Sequence, residues 1–158
     1  MGDPDLPFLE RAIELSREHM ERGRGGPFGA VIVRDGTILA EGWNEVTSSN
    51  DPTAHAEVVA VRRASARLGS FSLAGATIYS SCEPCPMCLA AVYWARLGRL
   101  VFAQTHEQAA AVGFDDALIY EEVGKPIESR RLPIRHVPLS SADAVFSAWK
   151  AKTDRVMY

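Results

Sequence analysis

The three cysteines of this 158-residue chain constrain how it can fold, because all of them lie in one short stretch, at Cys82, Cys85 and Cys88. Three thiols cannot all be paired, so a scaffold held together by disulfides is excluded. The chain is therefore expected to fold on a hydrophobic core of its own in a reducing compartment. Closely spaced cysteines in such a compartment more often bind a metal or take part in catalysis.

Length and composition agree with one globular domain. A domain of this length can bury roughly 68–70% of the surface that its unfolded chain exposes. The hydrophobic share of 47% and the charged share of 23% are close to globular averages, which excludes disordered, collagen-like and coiled-coil chains. No repeat, low-complexity tract or linker interrupts the sequence, so residues 1–158 are treated as a single domain.

The net charge and the hydropathy of the chain restrict what it can bind. The net charge is −3 and the sequence pI is about 5.8, whereas proteins that wrap a phosphate backbone usually have a pI above ~9. A small neutral substrate is therefore favoured over a nucleic acid. The uncharged stretch at residues 84–95 is shorter than the ~20 apolar residues of a membrane-spanning helix. Because the first residues also lack a secretory signal pattern, we expect a soluble cytoplasmic protein without a membrane partner.

Hydrophobic periodicity predicts helices and strands that alternate along the chain. Helices are predicted over residues 8–20, 54–68 and 86–96, and strands over residues 28–33, 38–43, 77–80 and 100–103. Asp35-Gly36 is typical of a tight hairpin turn between the first two strands. The polar segment 45–53 is predicted to be a loop, with Thr53 as a candidate N-cap of the second helix.

The last third of the chain has a weaker pattern. Short strands are predicted over residues 118–120 and 134–137, and Ser140 with Asp143 resembles a capping box that opens a helix through Trp149. Upstream, the strand–helix–strand order favours parallel strands joined by right-handed crossovers, with helices on both faces of the sheet. The fold class is therefore α/β, and the predicted architecture is a three-layer α/β/α sandwich around a mixed sheet.

Two short motifs stand at the starts of predicted helices, His55-Ala56-Glu57 and Pro84-Cys85-Pro86-Met87-Cys88. Helix N-termini gather at the carboxyl ends of parallel strands, so the two motifs can meet. Cys85 and Cys88 lie on one helical turn and can face the same ion, with His55 as a third, nitrogen ligand. One imidazole and two thiolates suit zinc, and three ligands leave a fourth position for water, which is the catalytic arrangement.

Glu57 is the candidate proton carrier. Zinc lowers the pKa of its bound water to about 7, and a carboxylate beside the ion can take the water's proton and deliver it to a substrate nitrogen. On a regular helix, residues two apart point roughly 200° apart, so His55 and Glu57 would diverge. They converge only if His55 lies at the helix edge and Glu57 reaches back from the first turn, which is the predicted arrangement.

The cysteines alone leave alternatives open. A C-x-x-C pair by itself could be a redox pair or half of a structural zinc site, and Cys82 could complete a closed site of four ligands. Cys82 lies at the end of a strand, outside the helical turn that carries Cys85 and Cys88, so it is interpreted as a buried free thiol. The joint H-x-E and P-C-x-x-C pattern is the signature of zinc deaminases.

The chain resembles the cytidine deaminase-fold proteins, and among them the bacterial guanine deaminases. The resemblance rests on motifs at residues 25–30, 42–44, 50–57, 81–88, 93–96 and 113–116, and on Tyr158. The first and fourth of these motifs mark the superfamily broadly. The element Gly113-Phe114-Asp115-Asp116 and Tyr158 are what point to guanine. The resemblance thus covers nearly the whole chain.

This resemblance implies hydrolytic deamination of guanine to xanthine and ammonia, a step of purine catabolism. One zinc ion per chain, with a bound water or hydroxide, would be held by His55, Cys85 and Cys88, and Glu57 would be the proton shuttle. The resemblance implies substrate contacts by Phe28, Asn44, Ala56, Trp94, Asp116 and Tyr158.

The implied substrate contacts have distinct roles. Asn44 would hydrogen-bond the purine, Phe28 would pack against its face, and Asp116 would read its polar edge. Trp94 would either wall the pocket or pack in the core. Members of this group are similar in being dimers whose C-terminal segments swap, so Tyr158 is expected to complete the pocket of a partner chain in a homodimer.

Other functions are kept as alternatives. One is another base or nucleoside deaminase, acting on guanosine, cytosine or tRNA adenosine. The acidic pI and the negative charge of Asp115 and Asp116 disfavour tRNA, because a polynucleotide needs a phosphate-binding surface. A non-catalytic zinc-binding interaction module is the alternative from a different class. Glu57 speaks against it, since a purely structural site gains nothing from a carboxylate at that position.

Overall fold

The computed structural model describes residues 2–158. Their elements follow one another in the order α1 Leu6–Glu21, β1 Gly29–Arg34, β2 Thr37–Trp43, α2 Val46–Ser49, α3 Ala56–Leu68, β3 Thr77–Cys82, α4 Pro86–Trp94, β4 Arg99–Gln104, α5 His106–Ala111, α6 Ala117–Val123 and α7 Ser140–Ala151, with one turn of 3₁₀ helix at Ile127–Ser129. The chain divides into two compact units, the residues up to Ala117 and Leu118–Tyr158. The helices and strands predicted before residue 105 are confirmed.

The first unit is built on a four-stranded mixed sheet in the order β2-β1-β3-β4. The strands β1 and β2 form an antiparallel hairpin whose turn residues Asp35 and Gly36 both have positive φ, as a two-residue hairpin loop of the type I′ class requires. The pair β1 and β3 is antiparallel, and β3 and β4 are parallel. Because β2 and β3 are both antiparallel to β1, they run parallel to each other. The crossover through α3, from β2 to β3, and the crossover through α4, from β3 to β4, therefore both join parallel strands, as predicted.

Both faces of the sheet are covered by helices. Residues of β1 alternate between the two sides: Val31 and Val33 pack with α1, whereas Ala30 and Ile32 pack with α3 and α4. A strand buried on both faces is expected to be a continuous apolar run, which explains the unbroken apolar sequence of β1. The predicted three-layer α/β/α sandwich is confirmed for this unit.

The helix α3 lies in direct contact with β2. A Cβ added to Gly42 would lie 2.3 Å from the carbonyl oxygen of Ala56 and 2.6 Å from the backbone nitrogen of Ala60. Since real Cβ atoms do not approach so closely, only glycine lets the first turns of α3 pack against this strand. The close approach brings the start of α3 beside the end of β2, where Asn44 follows.

Several boundaries and elements differ from the sequence-based expectations. The helix α3 begins at Ala56 with His55 as its N-cap, so the assignment of Thr53 as N-cap is wrong. The predicted loop 45–53 contains the short helix α2. The predicted strand 118–120 is part of helix α6, and residues 134–137 form neither helix nor strand. Short apolar runs do not distinguish a strand from a helix by periodicity.

The helix predicted through Trp149 is confirmed as α7, but its capping box is not. The N-cap is Leu139, which makes no side-chain cap hydrogen bond. Ser140 therefore lies inside the helix rather than before it. A hydroxyl one position into the helix cannot take the N-cap's role, which depends on a non-helical backbone at the capping residue.

The second unit, Leu118–Tyr158, contains no buried residue. Its large apolar side chains are exposed, among them Val123, Leu132, Val145, Phe146, Met157 and Tyr158. Ion pairs of Lys125 with Glu121 and Glu122 stabilise α6 locally. A segment of this length without a core of its own does not bury enough apolar surface to fold alone. Among residues 2–158 no helix combines the length and the apolar character needed to cross a membrane.

Candidate metal and catalytic site

The two motifs that the sequence singled out occupy equivalent places on two helices. His55 is the N-cap of α3 and Cys85 is the N-cap of α4. Both residues have extended backbone conformations, and neither side chain caps its own helix. Their side chains are therefore available for a ligand, next to the positive ends of both helix dipoles.

The structure brings three potential ligand atoms together. His55 Nδ1 lies 3.7 Å from Cys85 Sγ and 3.4 Å from Cys88 Sγ, and all three ligand atoms lie within 4.8 Å of one another. Cys88 is completely buried and the other two residues are half-buried. One imidazole nitrogen with two sulfurs is a donor set that fits a zinc ion with one position left for a further ligand.

The two thiols of this cluster differ in acidity. The hydrogen bond from Cys88 lowers the pKa of Cys85 to about 4, whereas the same hydrogen bond raises the pKa of the Cys88 thiol, which donates it. The hydrogen bond with Cys85 also raises the pKa of His55. Cys85 therefore carries the negative charge of the cluster most readily, at the N-terminus of a helix, where a thiolate is favoured.

Cys82 lies apart from these ligands. Its Sγ donates a weak hydrogen bond to the carbonyl oxygen of Thr105 at 3.7 Å, and burial raises the pKa of its thiol to about 11. The residue is buried at the end of β3. This position agrees with the interpretation of Cys82 as a buried thiol outside the cluster.

Glu57 is buried against the cluster from the first turn of α3. Burial raises the pKa of its carboxyl, and the nearby negative charge of Cys85 acts in the same direction. Ser80 Oγ donates a hydrogen bond to Glu57 Oε1 at 3.1 Å. The divergence expected for residues two apart on a helix does not arise, because His55 has the extended backbone of an N-cap (φ −69°, ψ 155°) rather than a helical one. The glutamate thus reaches the same cluster as the histidine, as the sequence analysis predicted.

Asn44 follows β2 and is held in one orientation by backbone donors. Its side-chain Oδ1 accepts hydrogen bonds from the backbone N–H groups of Gly26 at 3.1 Å and Val46 at 3.2 Å. With the oxygen occupied in this way, the amide nitrogen Nδ2 is the group left to donate to a ligand. A Cβ on Gly25 would lie 2.0 Å from the Asn44 carbonyl oxygen, so the glycine turn is needed for this support.

An aromatic pair lies beside this turn. The rings of Phe28 and Phe114 meet edge to face, with centroids 4.8 Å apart, and a Cβ on Gly26 would lie 3.3 Å from both rings. Phe28 also packs against the core on the α3 side of the sheet. Sequence reasoning missed the contact made by Phe114, whose only signal was its place in the Gly-Phe-Asp-Asp element.

Asp116, in the same element, is mostly buried. Its side chain is 16% exposed and its Oδ1 lies 3.9 Å from His106 Nδ1. Within the described part of the chain, that buried oxygen has no hydrogen-bond partner. Burial raises the pKa of the carboxyl, and the negative charge of Cys85 acts in the same direction.

The other residues that were predicted to contact the substrate are Ala56, Trp94 and Tyr158. Ala56 is the first residue of α3, so its N–H is one of those that have no partner inside the helix. Trp94 ends α4 and is 67% exposed, which excludes a position in the core. It follows Cys88 by six residues, about 9 Å along the helix axis. Tyr158, in the second unit, is 73% exposed.

Comparisons with known proteins agree with this geometry. The profile of the cytidine and deoxycytidylate deaminase zinc-binding region matches residues 3–104. Guanine deaminase of Bacillus subtilis is 52% identical over 151 residues, which cover 96% of this chain and 97% of that protein. A tRNA-specific adenosine deaminase of Aquifex aeolicus is 30% identical over 145 residues, covering 92% and 93% of the two chains.

Comparison with solved structures also finds deaminases. The crystal structure of guanine deaminase from Bacillus subtilis superposes with a TM-score of 0.95 at 50% identity, covering 100% of this chain and 99% of that one. Guanine deaminase from Nitrosomonas europaea superposes with a TM-score of 0.68 at 31% identity, covering 74% and 67%. The similarity to the first of these extends through both compact units.

Proposed function

Because the chain belongs to the cytidine and deoxycytidylate deaminase zinc-binding family, we propose that it catalyses the hydrolytic deamination of guanine to xanthine and ammonia. The observation that carries this proposal is the pairing of a His-Cys-Cys cluster with a buried glutamate against it. It occurs in a chain that is similar to a guanine deaminase over nearly its whole length.

The cofactor is zinc, and the proposed ligands are His55, Cys85 and Cys88, one ion to each chain. The donor set, not the family alone, supports this choice, since one nitrogen and two sulfurs within 4.8 Å suit zinc better than a hard cation. When bound, zinc supplies a hydroxide nucleophile near neutral pH by lowering the pKa of its water to about 7.

Glu57 is proposed to move the proton. It takes the protons of the attacking water and delivers one to ring N3 of guanine and the other to the amino nitrogen on C2. The bond between C2 and that nitrogen then breaks and ammonia leaves, while the water oxygen, having lost both protons, becomes the C2 carbonyl of xanthine. Burial that raises the pKa of this carboxyl suits a group that must hold a proton between the two transfers.

The base is proposed to be recognised by groups at the ends of the sheet. The Asn44 Nδ2 donates to an acceptor on the purine, and the Ala56 N–H donates to its carbonyl oxygen. Asp116, whose Oδ1 is buried without a partner, accepts from N–H groups on the polar edge. Phe28 packs against the ring face, and Trp94 walls the open side. The three free cysteines support a reducing, cytoplasmic location.

Ammonia release from a panel of substrates tests the proposal. Zinc-loaded protein is assayed with guanine, guanosine, cytosine, cytidine, adenine, adenosine and a tRNA that carries a target adenosine. Guanine is expected to give the highest kcat/KM. A higher value for tRNA, which the relative from Aquifex aeolicus makes the second candidate, would replace the proposal. Ammonia release from none of them by zinc-loaded protein would favour a non-catalytic zinc module.

A homodimer is proposed to complete the site. The second unit has no buried residue and exposes apolar side chains such as Phe146 and Met157, so a second copy of the chain is proposed to cover them. Tyr158 of one copy would then complete the pocket of the other. Replacing Tyr158 by alanine is expected to lower kcat/KM for guanine by about 10-fold, since the ring contact is lost, and to leave zinc content unchanged.

Mixed dimers separate a contribution in trans from one in cis. Glu57→Gln and Tyr158→Ala proteins are unfolded together and refolded, so that mixed pairs form. If Tyr158 acts on the partner's pocket, one site of each mixed dimer has both native residues, and the mixture is more active than either variant alone. A mixture no more active than the mean of its components, or a protein that sediments as a monomer, would contradict this arrangement.

A further inference from the structure

Ser80 places a hydroxyl group at a buried position where packing alone would favour an apolar side chain. It lies on β3, is 1% exposed and pairs across the sheet with Ala30. Its neighbour two positions earlier, Ile78, belongs to the apolar core on the α3 side, and Ser80 shares that side because residues alternate along a strand. A buried hydroxyl is unfavourable unless it is hydrogen-bonded, so its partners show what the residue does.

The hydrogen bonds of the Ser80 hydroxyl run in one direction, from the backbone N–H of Cys82 to the carboxylate of Glu57. The backbone N–H of Cys82 lies 3.5 Å from Ser80 Oγ, and Ser80 Oγ lies 3.1 Å from Glu57 Oε1. An amide N–H can only donate, so the serine oxygen accepts from it and its own hydrogen points to the carboxylate. The sheet therefore holds Glu57 through its Oε1.

We propose that Ser80 is a positioning residue that fixes the Glu57 carboxylate against the sheet, in the orientation needed to reach the His55, Cys85 and Cys88 cluster. The side chain of Ser80 does not touch the substrate. With Oε1 anchored, the carboxylate cannot rotate freely about its last bond. It is therefore already oriented when the proton moves. This inference rests on the proposed deamination and on the role of Glu57 in it.

The hydroxyl can be separated from the volume of the side chain. Ser80→Ala removes only the hydroxyl, and Ser80→Thr and Ser80→Val form a pair of equal shape in which only threonine keeps it. For Ser80→Ala and Ser80→Val, kcat for guanine is expected to fall about 10- to 100-fold, the range expected for one hydrogen bond to a charged group. KM and zinc content are expected to stay near wild type, and Ser80→Thr is expected to retain most of kcat.

The neighbouring serine provides the matched control. Ser81 is also buried on β3, but its Oγ accepts from the backbone N–H of Gly29 and does not contact Glu57. Ser81→Ala is expected to lower the melting temperature and leave kcat unchanged. If Ser81→Ala and Ser80→Ala lower kcat equally, or if the valine and threonine variants have the same kcat, the positioning role is wrong.

A readout without turnover tests the contact directly. In zinc-free protein, the change in unfolding free energy caused by Ser80→Val is measured with Glu57 present and in the Glu57→Ala background. A hydrogen bond between the two residues makes the two effects non-additive, whereas simple addition would overturn the inference. Wild-type protein that does not deaminate guanine would contradict the proposed function instead, so the two failures are distinguishable.

Discussion

Replacing Glu57 by glutamine is expected to leave zinc bound and to lower kcat for guanine by about 10²- to 10⁴-fold, the usual contribution of a positioned acid or base. Glutamine has nearly the same shape and keeps the Oε1 that accepts from Ser80, but it cannot carry a proton between the water and the leaving nitrogen. Steady-state ammonia release gives kcat, and plasma mass spectrometry of dialysed protein gives the zinc content.

A control carboxylate separates this effect from a general loss of charge. Glu41 forms an ion pair with Arg11 on the α1 side of the sheet, so Glu41→Gln is expected to retain kcat. Wild-type turnover in the Glu57→Gln protein would show that another group carries the proton. Loss of zinc from that protein would show instead that Glu57 holds the cluster together.

The fold of the first unit could be predicted because its helices and strands bury defined faces, and each buried face leaves a regular pattern of apolar residues in the sequence. A strand buried on both faces gives the apolar run of β1, and the positive φ of Asp35 and Gly36 gives a recognisable turn pair. The second unit lacks such a signal. Residues 118–120 were predicted as a strand and form part of α6, because a segment with no buried face has no period that distinguishes the two.

The candidate site, too, could be predicted from the sequence only in part. Cys85 and Cys88 could be paired from their spacing on one turn, since three residues along a helix return to the same face. The contact between Ser80 and Glu57 could not be predicted, because it joins two residues that are 23 positions apart in the sequence and depends on how α3 packs on the sheet. The convergence of Glu57 with His55 depended on the backbone of one residue, the N-cap, which the spacing leaves open.

The same substitution at Cys88 and at Cys82 is expected to have opposite results for zinc binding. Cys88→Ser is expected to lose most of its zinc and nearly all deaminase activity, since a serine hydroxyl does not ionise to replace a thiolate ligand. Cys82→Ser is expected to keep about one zinc per chain, because its Sγ lies against the Thr105 carbonyl and outside the His55, Cys85 and Cys88 cluster. Zinc content and kcat are measured on both proteins after the same dialysis.

These two variants also decide what kind of zinc site the chain has. If Cys82→Ser loses zinc as Cys88→Ser does, four protein ligands close the site and leave no position for a water molecule. The hydrolytic proposal would then fail at its first requirement. If only Cys88→Ser loses zinc, three ligands remain and the fourth position is open to water. Because serine replaces cysteine in both proteins, the contrast reports where each sulfur lies rather than how well serine fits a buried position.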